Sequence, residues 1–133
     1  MADAQITAVV TPQPLRVAAD DRGVVFEPVG EFEIGAQHNC HVVVSKPGAV
    51  RGNHQHSIGT EITAITGPCE VRWREQGKVQ EVQVPSGEVW RFVFPPGVSH
   101  AFRGTGHTPM IIASFNTLAH DPARPDVTRD VLI

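Results

Sequence analysis

The sequence contains no tyrosine, and aromatic residues account for only 6% of its 133 residues. It also lacks an apolar run long enough to cross a bilayer, and its amino terminus lacks a basic region followed by an apolar one. The formal net charge is −3 and the basic residues are scattered, which argues against a nucleic-acid-binding surface. We therefore expect a cytoplasmic protein with no membrane span and no nucleic-acid partner.

Cysteine is also scarce, and no segment has convincing helical periodicity. Cys40 and Cys69 are the only cysteines, and they fit buried reduced thiols better than a disulfide framework. By contrast, 12 glycines and 11 prolines separate short segments rich in β-branched residues. This pattern predicts a single all-β domain, either a sandwich or a barrel.

The composition divides the chain into three parts. Residues 1–19 predict an amino-terminal arm or edge strand, residues 20–128 the barrel, and residues 129–133 a carboxy-terminal tail. Gln76-Gly77 lies between two alternating segments and predicts a hairpin. The predicted strands are 24–29, 41–46, 61–66, 69–75, 78–84, 88–94, 98–103 and 110–115. The last of these is apolar enough to be covered on both faces.

Two histidines in the middle of the chain have the spacing of a ligand pair. On an extended strand His54 and His56 leave by the same face, and a turn after them would bring Glu61 to the same point. Two imidazole nitrogens and a carboxylate oxygen suit a divalent metal. A Pro/Gly turn at Pro95 to Gly97 would deliver His100 back to the sheet as a fourth candidate.

Together these segments resemble the two-part signature of the cupins. The signature lies on Gly48, His54, His56, Glu61, Pro95, Gly97 and His100. The resemblance implies a cupin double-stranded β-helix, or jelly-roll barrel, with one divalent metal held by His54, His56, Glu61 and His100. Zinc is favoured, although manganese, iron, nickel and copper accept the same donors. A homodimer is also expected, because exposed β edges are often paired between subunits.

Further segments sharpen the resemblance. Ser45 to Gly48 before the histidines and Asp121 to Asp126 after the barrel are similar to the carboxy-terminal cupin domain of bifunctional capsular-polysaccharide enzymes. Asp21-Arg22-Gly23 also resembles a motif of nucleotide-sugar epimerases in the same superfamily. The resemblance implies an enzyme that epimerises or isomerises a nucleotide-linked keto-deoxysugar beside its ketone, in polysaccharide or sugar biosynthesis.

Such a reaction needs a base near the carbon and a stabilising group at the oxygen. His54 or His56 could be the catalytic base if no metal occupies their nitrogens, whereas a metal on the four ligands could polarise the ketone. Arg51 is the candidate that holds a phosphate or the developing oxyanion. The related dTDP-sugar epimerases are implied to use a tyrosine. Because this chain has none, the metal-binding version is favoured.

Two alternative functions are also compatible with the sequence. One is a metal-dependent oxygenase or cyclase of small keto or aromatic compounds, and the other is a non-catalytic cupin that binds a small ligand. Some residues receive a structural interpretation instead. These are the surface histidines His38, His41, His107 and His120, the core aromatics Trp90, Phe92 and Phe94, which could also line a sugar pocket, and the solvated arginines Arg72, Arg74 and Arg91.

Overall fold

A computed structural model describes residues 9–133 of the chain. Of the predicted arm at 1–19, residues 1–8 therefore lie outside the described part. The strands are β1 (Gln13–Pro14), β2 (Ala18–Asp20), β3 (Gly23–Val25), β4 (Asn39–Ser45), β5 (Val50–Gln55), β6 (Glu61–Thr66), β7 (Cys69–Glu75), β8 (Lys78–Val84), β9 (Val89–Phe94), β10 (His100–Gly104), β11 (Met110–Asn116) and β12 (Thr128–Arg129). One four-residue helix, α1, spans Glu31–Ile34.

Ten of these strands form two five-stranded antiparallel sheets. The first has the order β1-β9-β6-β11-β4, and the second has the order β12-β5-β10-β7-β8. Strands β2 and β3 form a separate small hairpin. The nearly all-β architecture predicted from the glycine, proline and β-branched pattern is confirmed.

The apolar core lies between the inner faces of the two sheets. Phe92 of the first sheet packs near Trp73 of the second, with ring centroids 6.1 Å apart. Phe94 of the first sheet likewise approaches Phe102 of the second at 6.0 Å. These aromatic contacts join the sheets at the centre, so Phe92 and Phe94 belong to the core as the sequence predicted.

The local turn chemistry explains several strand bounds. Gln76 and Gly77 both have positive φ, 51° and 74°, which is the geometry of a two-residue hairpin turn. The predicted strands on either side, 69–75 and 78–84, agree with β7 and β8. Strand β6 also keeps its predicted bounds, because Gly67 and Pro68 follow it directly.

Three local predictions are wrong. Met110 and Ile112 of β11 are buried, but Ile111 between them is 40% exposed, because its neighbour β4 is an edge strand with little cover on its outer face. The strand predicted at 24–29 ends at Val25, three residues before Pro28. Cys40 was predicted to be buried, but it is exposed on β4, whereas Cys69 is buried.

The carboxy-terminal segment joins the second sheet. Strand β12 crosses the predicted boundary at residue 128 and pairs with β5. Beyond it, the Asn53 side chain accepts hydrogen bonds from the amides of Leu132 and Ile133. Arg74 of β7 forms an ion pair with Asp130 at 3.0 Å. The last residues are thus fixed against β5 and β7.

Strand β4 leaves one edge of the first sheet unpaired. Val42 and Val44 on this strand are each 63% exposed. Exposed edge strands of this kind often pair with the same strand of a second subunit. The homodimer stays a prediction. Within residues 9–133, no helix has the length and the apolar character needed to cross a membrane.

Candidate metal centre

The structure brings the four predicted metal ligands together. His54 lies in β5, His56 directly follows that strand, Glu61 begins β6 and His100 begins β10. One ligand atom of each of the four side chains lies within 4.8 Å of the corresponding atom of the others. Side chains from both sheets therefore meet at one end of the barrel interior, although the first and the last are 46 positions apart in sequence.

A β-bulge in β5 aims two side chains at this end. His54 pairs with His100, but Gly52 pairs with the next residue, Ala101, so Asn53 is an extra residue in the strand. Gly52 and Asn53 have φ angles of 83° and 57°. Because of the bulge, Arg51 and His54 both face the interior although they are three residues apart. A Cβ at Gly52 would lie 2.7 Å from the His100 carbonyl oxygen, so a side chain there would collide with the partner strand.

Asp126 fixes the loop that carries the chain from His56 to Glu61. Its carboxylate accepts hydrogen bonds from the amides of Ser57, Ile58 and Gly59 at 2.9–3.1 Å. Its main-chain carbonyl lies 3.1 Å from Nδ1 of His56. Asp126 thus orients His56 directly, and it orients Glu61 indirectly by fixing the loop that precedes it.

Backbone carbonyls also determine which ring nitrogens face the centre. Nδ1 of His56 lies against the Asp126 carbonyl, and Nδ1 of His100 lies 3.0 Å from the Val98 carbonyl. A carbonyl only accepts, so Nδ1 carries the hydrogen in each ring and a neutral ring presents the lone pair of Nε2 to the centre. This is the arrangement that metal-binding histidines usually have.

The polar atoms at the centre have no hydrogen-bond partner that satisfies them. Nε2 of His56, Nε2 of His100 and Oε2 of Glu61 are buried without one. Nε2 of His100 is only 2.7 Å from Oε2 of Glu61, but the contact does not have hydrogen-bond geometry, and Nε2 of His56 is 3.6 Å from Oε1. A divalent cation would satisfy all these atoms at once, whereas a proton would satisfy a single pair. The donor set therefore fits a metal ion.

The surroundings set the charge of each ligand. Burial, followed by repulsion from His100, lowers the pKa of His54 to about 4, so this ring is neutral near pH 7 and can donate a lone pair. The neighbouring Glu61 carboxylate raises the pKa of His56. Burial opposes ionisation of Glu61, but the facing histidines His100 and His56 lower the pKa of its carboxyl below its ordinary value. The pocket thus combines one carboxylate with three imidazoles.

Packing makes the inner side of the centre rigid. His100 is fully buried, and Phe94 stacks on its ring with centroids 4.2 Å apart and planes at 14°. Glu61 is only 4% exposed. A charged group buried to this extent needs compensation from its neighbours, which is why a buried carboxylate among histidines indicates a binding role.

The outer side of the centre opens into a cavity of about 510 Å³. Arg51 lies in its wall, where Nε donates a hydrogen bond to Ser45 Oγ at 3.2 Å. Arg51, which the sequence predicted to lie near the candidate ligands, shares the cavity wall with His54, His56 and Glu61. Polar residues from the first sheet and the following loop also line the cavity, among them Asn39, His41, Ser114, Asn116, His120, Asp121 and Asp126.

The cavity wall includes two of the residues that received a structural interpretation from the sequence and excludes the others. His41 and His120 were interpreted as surface histidines, but both line the cavity. The three arginines Arg72, Arg74 and Arg91 face carboxylates elsewhere, on Glu70, Asp130 and Glu33 respectively, and they do not line it. Of the aromatic residues with two interpretations, Trp90 donates to Glu88 and also lies outside the cavity wall.

The sequence model described as "Polysaccharide biosynthesis C-terminal domain" matches residues 18–128 of the chain. The spore coat polysaccharide biosynthesis protein SpsL of Bacillus subtilis is 27% identical over 121 residues, which are 84% of this chain and 80% of SpsL. Both findings agree with the resemblance to capsular-polysaccharide enzymes on residues 45–48 and 121–126.

Two solved structures show the same barrel. The capsular polysaccharide assembling protein CapF of Staphylococcus aureus is 26% identical, with a TM-score of 0.66 over 90% of this chain, which spans only 35% of CapF. A dTDP sugar isomerase of Desulfovibrio desulfuricans is 19% identical, with a TM-score of 0.74 over 94% of this chain and 85% of its own. The cupin jelly-roll barrel implied by the sequence is confirmed.

Proposed function

Because the chain belongs to the Polysaccharide biosynthesis C-terminal domain family, we propose that it is a metal-binding isomerase or epimerase of a nucleotide-linked keto-deoxysugar. The observation that carries the proposal is the four-residue group of three histidines and Glu61, which opens into a cavity beside Arg51. The barrel shared with a dTDP sugar isomerase and the kinship with two polysaccharide proteins support this choice of substrate.

The chemistry begins with a carbon-bound proton beside the sugar ketone. That proton is acidic only when the enolate that forms is stabilised at its oxygen. A divalent cation held by His54, His56, Glu61 and His100 would supply a Lewis acid for this oxygen. Arg51 supplies a fixed positive charge in the same wall, oriented by Ser45, and it binds either the diphosphate or the developing oxyanion.

Zinc is the metal that we propose for this centre. Proton transfer beside a ketone requires no change of oxidation state, and zinc binds imidazole and carboxylate ligands without redox chemistry. Three neutral imidazoles and one carboxylate leave a positive charge on a zinc centre, which suits an anionic intermediate.

Elemental analysis of protein purified without a metal-affinity tag tests the centre. We expect wild-type protein to carry about one zinc per chain, as four-ligand sites do, and His56→Ala to lose it. His38→Ala is the matched control, because His38 contacts the Thr117 carbonyl outside the cavity. Iron, nickel or copper would favour an oxygenase instead, and metal-free wild-type protein would contradict the proposed ligand set.

Turnover is then tested with TDP-4-keto-6-deoxyglucose in deuterated water. Deuterium should enter the sugar at a carbon beside the ketone, and NMR spectroscopy of the product locates it. The His56→Ala protein should exchange far more slowly, because it lacks one of the four residues that would hold the polarising cation. A metal-loaded wild-type protein that leaves the sugar unlabelled would overturn the proposed function.

A further inference from the structure

We propose that His41 is the catalytic acid-base residue that carries the proton at the carbon beside the ketone. The inference rests on the proposed function and assigns a residue that sequence reasoning had placed on the surface. It follows from three observations: the position of His41 in the cavity, the partner that orients its ring, and the way in which the other titratable groups of the cavity are engaged.

The backbone register places His41 on the inner face of the first sheet. It pairs with Ser114 of β11, which pairs in turn with Thr63 of β6, and both of these partners are buried. His41 itself is exposed to the cavity and lines it together with Arg51 and His54. It does not belong to the four-residue metal group. The ring therefore reaches the same space as the metal centre without being part of it.

A side chain two residues earlier in β4 orients the ring. Nδ1 of His41 lies 3.2 Å from Oδ1 of Asn39, and both residues line the cavity. An amide oxygen only accepts, so Nδ1 of His41 carries the hydrogen and Nε2 presents a free lone pair. Fixing the tautomer in this way leaves Nε2 free to accept a proton from the substrate.

The other titratable groups of the cavity are less suited to the task. His56 and His100 present their Nε2 lone pairs to the candidate metal centre, and His54 belongs to the same four-residue group, so a bound metal ion would occupy these lone pairs. Asp126 already accepts amide hydrogens from the 57–59 loop, and Asp121 accepts one from Ala123. Among residues 9–133, no hydrogen bond orients the ring of His120. His41 alone combines access with a fixed orientation on a strand.

The step balances without an oxidant or a reductant. The C–H bond beside the ketone breaks and its proton forms an N–H bond at Nε2 of His41. The C–H electron pair becomes the C=C bond of the enolate, and the carbonyl π pair moves onto the oxygen, within reach of the positive charge on Arg51. Return of a proton to carbon restores a carbonyl group and gives the rearranged sugar.

The first test measures deuterium exchange into TDP-4-keto-6-deoxyglucose by zinc-loaded protein. We expect His41→Asn to slow the exchange by about 10²–10⁴-fold, the usual contribution of a general acid-base residue. His38→Asn is the matched control, since it removes a histidine three residues away that does not line the cavity, and it should exchange at the wild-type rate. Zinc content should be unchanged in both variants.

Each contrary outcome has a separate meaning. Wild-type exchange in His41→Asn would overturn the role of His41 and leave the proposed function standing. Loss of zinc in His41→Asn would make it a metal ligand and would also overturn the inference. Absence of exchange in the zinc-loaded wild-type protein would overturn the proposed function itself, and the inference with it.

A second test needs no turnover. The ¹⁵N NMR signals of the histidine rings in the zinc-loaded protein report the tautomer, and the His41 signals are assigned by their loss in His41→Asn. We expect the Nδ1–H tautomer in the wild-type protein and a mixture with the Nε2–H form in Asn39→Ala. A wild-type ring in the Nε2–H form would overturn the inference, because its free lone pair would face Asn39 instead of the substrate.

Discussion

The two ends of the barrel interior differ in chemistry although the same strands build both. Along β6 the inward-facing side chains are Glu61, then Thr63, then Ile65. Their partners on β11 are Asn116, Ser114 and Ile112. One end is therefore polar and open, and the other is apolar and closed.

This difference separates two tasks. At the closed end, buried side chains such as Ile65, Cys69, Val71 and Val84 contact one another and contribute stability through the loss of apolar surface from water. At the open end, Glu61 and His100 are just as buried but polar, and burial of such groups costs free energy unless a partner compensates them. Stability should therefore depend on the closed end, and metal binding on the open one.

The largest effect is expected from Phe92→Ala, in the apolar core beside Thr63. Phe92 is fully buried and stacks beside Phe94 with centroids 5.9 Å apart, so truncation leaves a cavity that costs about 3–5 kcal/mol. Urea unfolding of the metal-free protein measures the loss. The folded fraction should still bind one metal ion, because no ligand has moved. Phe32→Ala is the control, since Phe32 is 93% exposed on α1.

A smaller and different effect is expected from Asp126→Ala at the open end. The variant loses the hydrogen bonds to the 57–59 loop, so His56 and Glu61 are less well oriented, and metal affinity should fall about 10-fold. Competition with a chromophoric chelator measures this affinity. Asp20→Ala is the control, because Asp20 accepts the Arg22 amide in the distant β2–β3 turn. Equal losses in both variants would contradict a positioning role for Asp126.

The smallest effect is expected outside the barrel, at the Glu33–Arg91 ion pair. The Arg91 guanidinium lowers the pKa of Glu33 below its ordinary value of 4.5. The stabilisation is therefore fully present above pH 4.5 and is lost as the pH falls through the lowered value. Because the Glu33 side chain is 36% exposed, solvent screening limits the contribution to about 0.5 kcal/mol.

Urea unfolding of Glu33→Gln and wild-type protein at pH 7 and at pH 3 measures this contribution. At pH 7 the wild-type protein should be more stable than Glu33→Gln. At pH 3 this difference in the free energy of unfolding should be smaller. If the stability difference between the two proteins were larger at pH 3 than at pH 7, the ionised Glu33 would not be the source of the stabilisation. Metal affinity at pH 7 should be the same in both proteins, since Glu33 is remote from the cavity wall.

Local signals in the sequence were sufficient to predict much of the fold and the four residues that meet at the candidate metal centre. Glycine and proline ended β6, and the Gln76-Gly77 turn set the register of β7 and β8, because these choices depend on neighbours in the chain. The four candidate ligands were predicted because their spacing matches a known signature, and the structure brings them together, while their binding of a metal stays a prediction. The same reasoning placed Arg51 beside them.

The features that the sequence did not predict depend on pairing between strands that are distant in the chain. His41 has no informative spacing, and it reaches the cavity only because β4 pairs with β11 in the register that sets it beside Ser114. The extra residue at Asn53 is also a property of the pairing with β10 and not of β5 alone. Asp126 lay within a recognised motif, but its contacts with the 57–59 loop depend on where the last part of the chain returns.

The position of the carboxy-terminal segment affects the order in which contacts form during folding. The contact between His56 and Asp126 joins residues 70 apart in sequence, and the contacts of Asn53 with Ile133 join residues 80 apart. Contacts this distant form slowly, because a long loop must close before they give any stability. During synthesis, the segment that orients His56 and Glu61 leaves the ribosome after nearly all of the barrel. If a divalent cation binds at the four-residue group, its site is therefore fully oriented only after the segment that carries Asp126 has joined the second sheet.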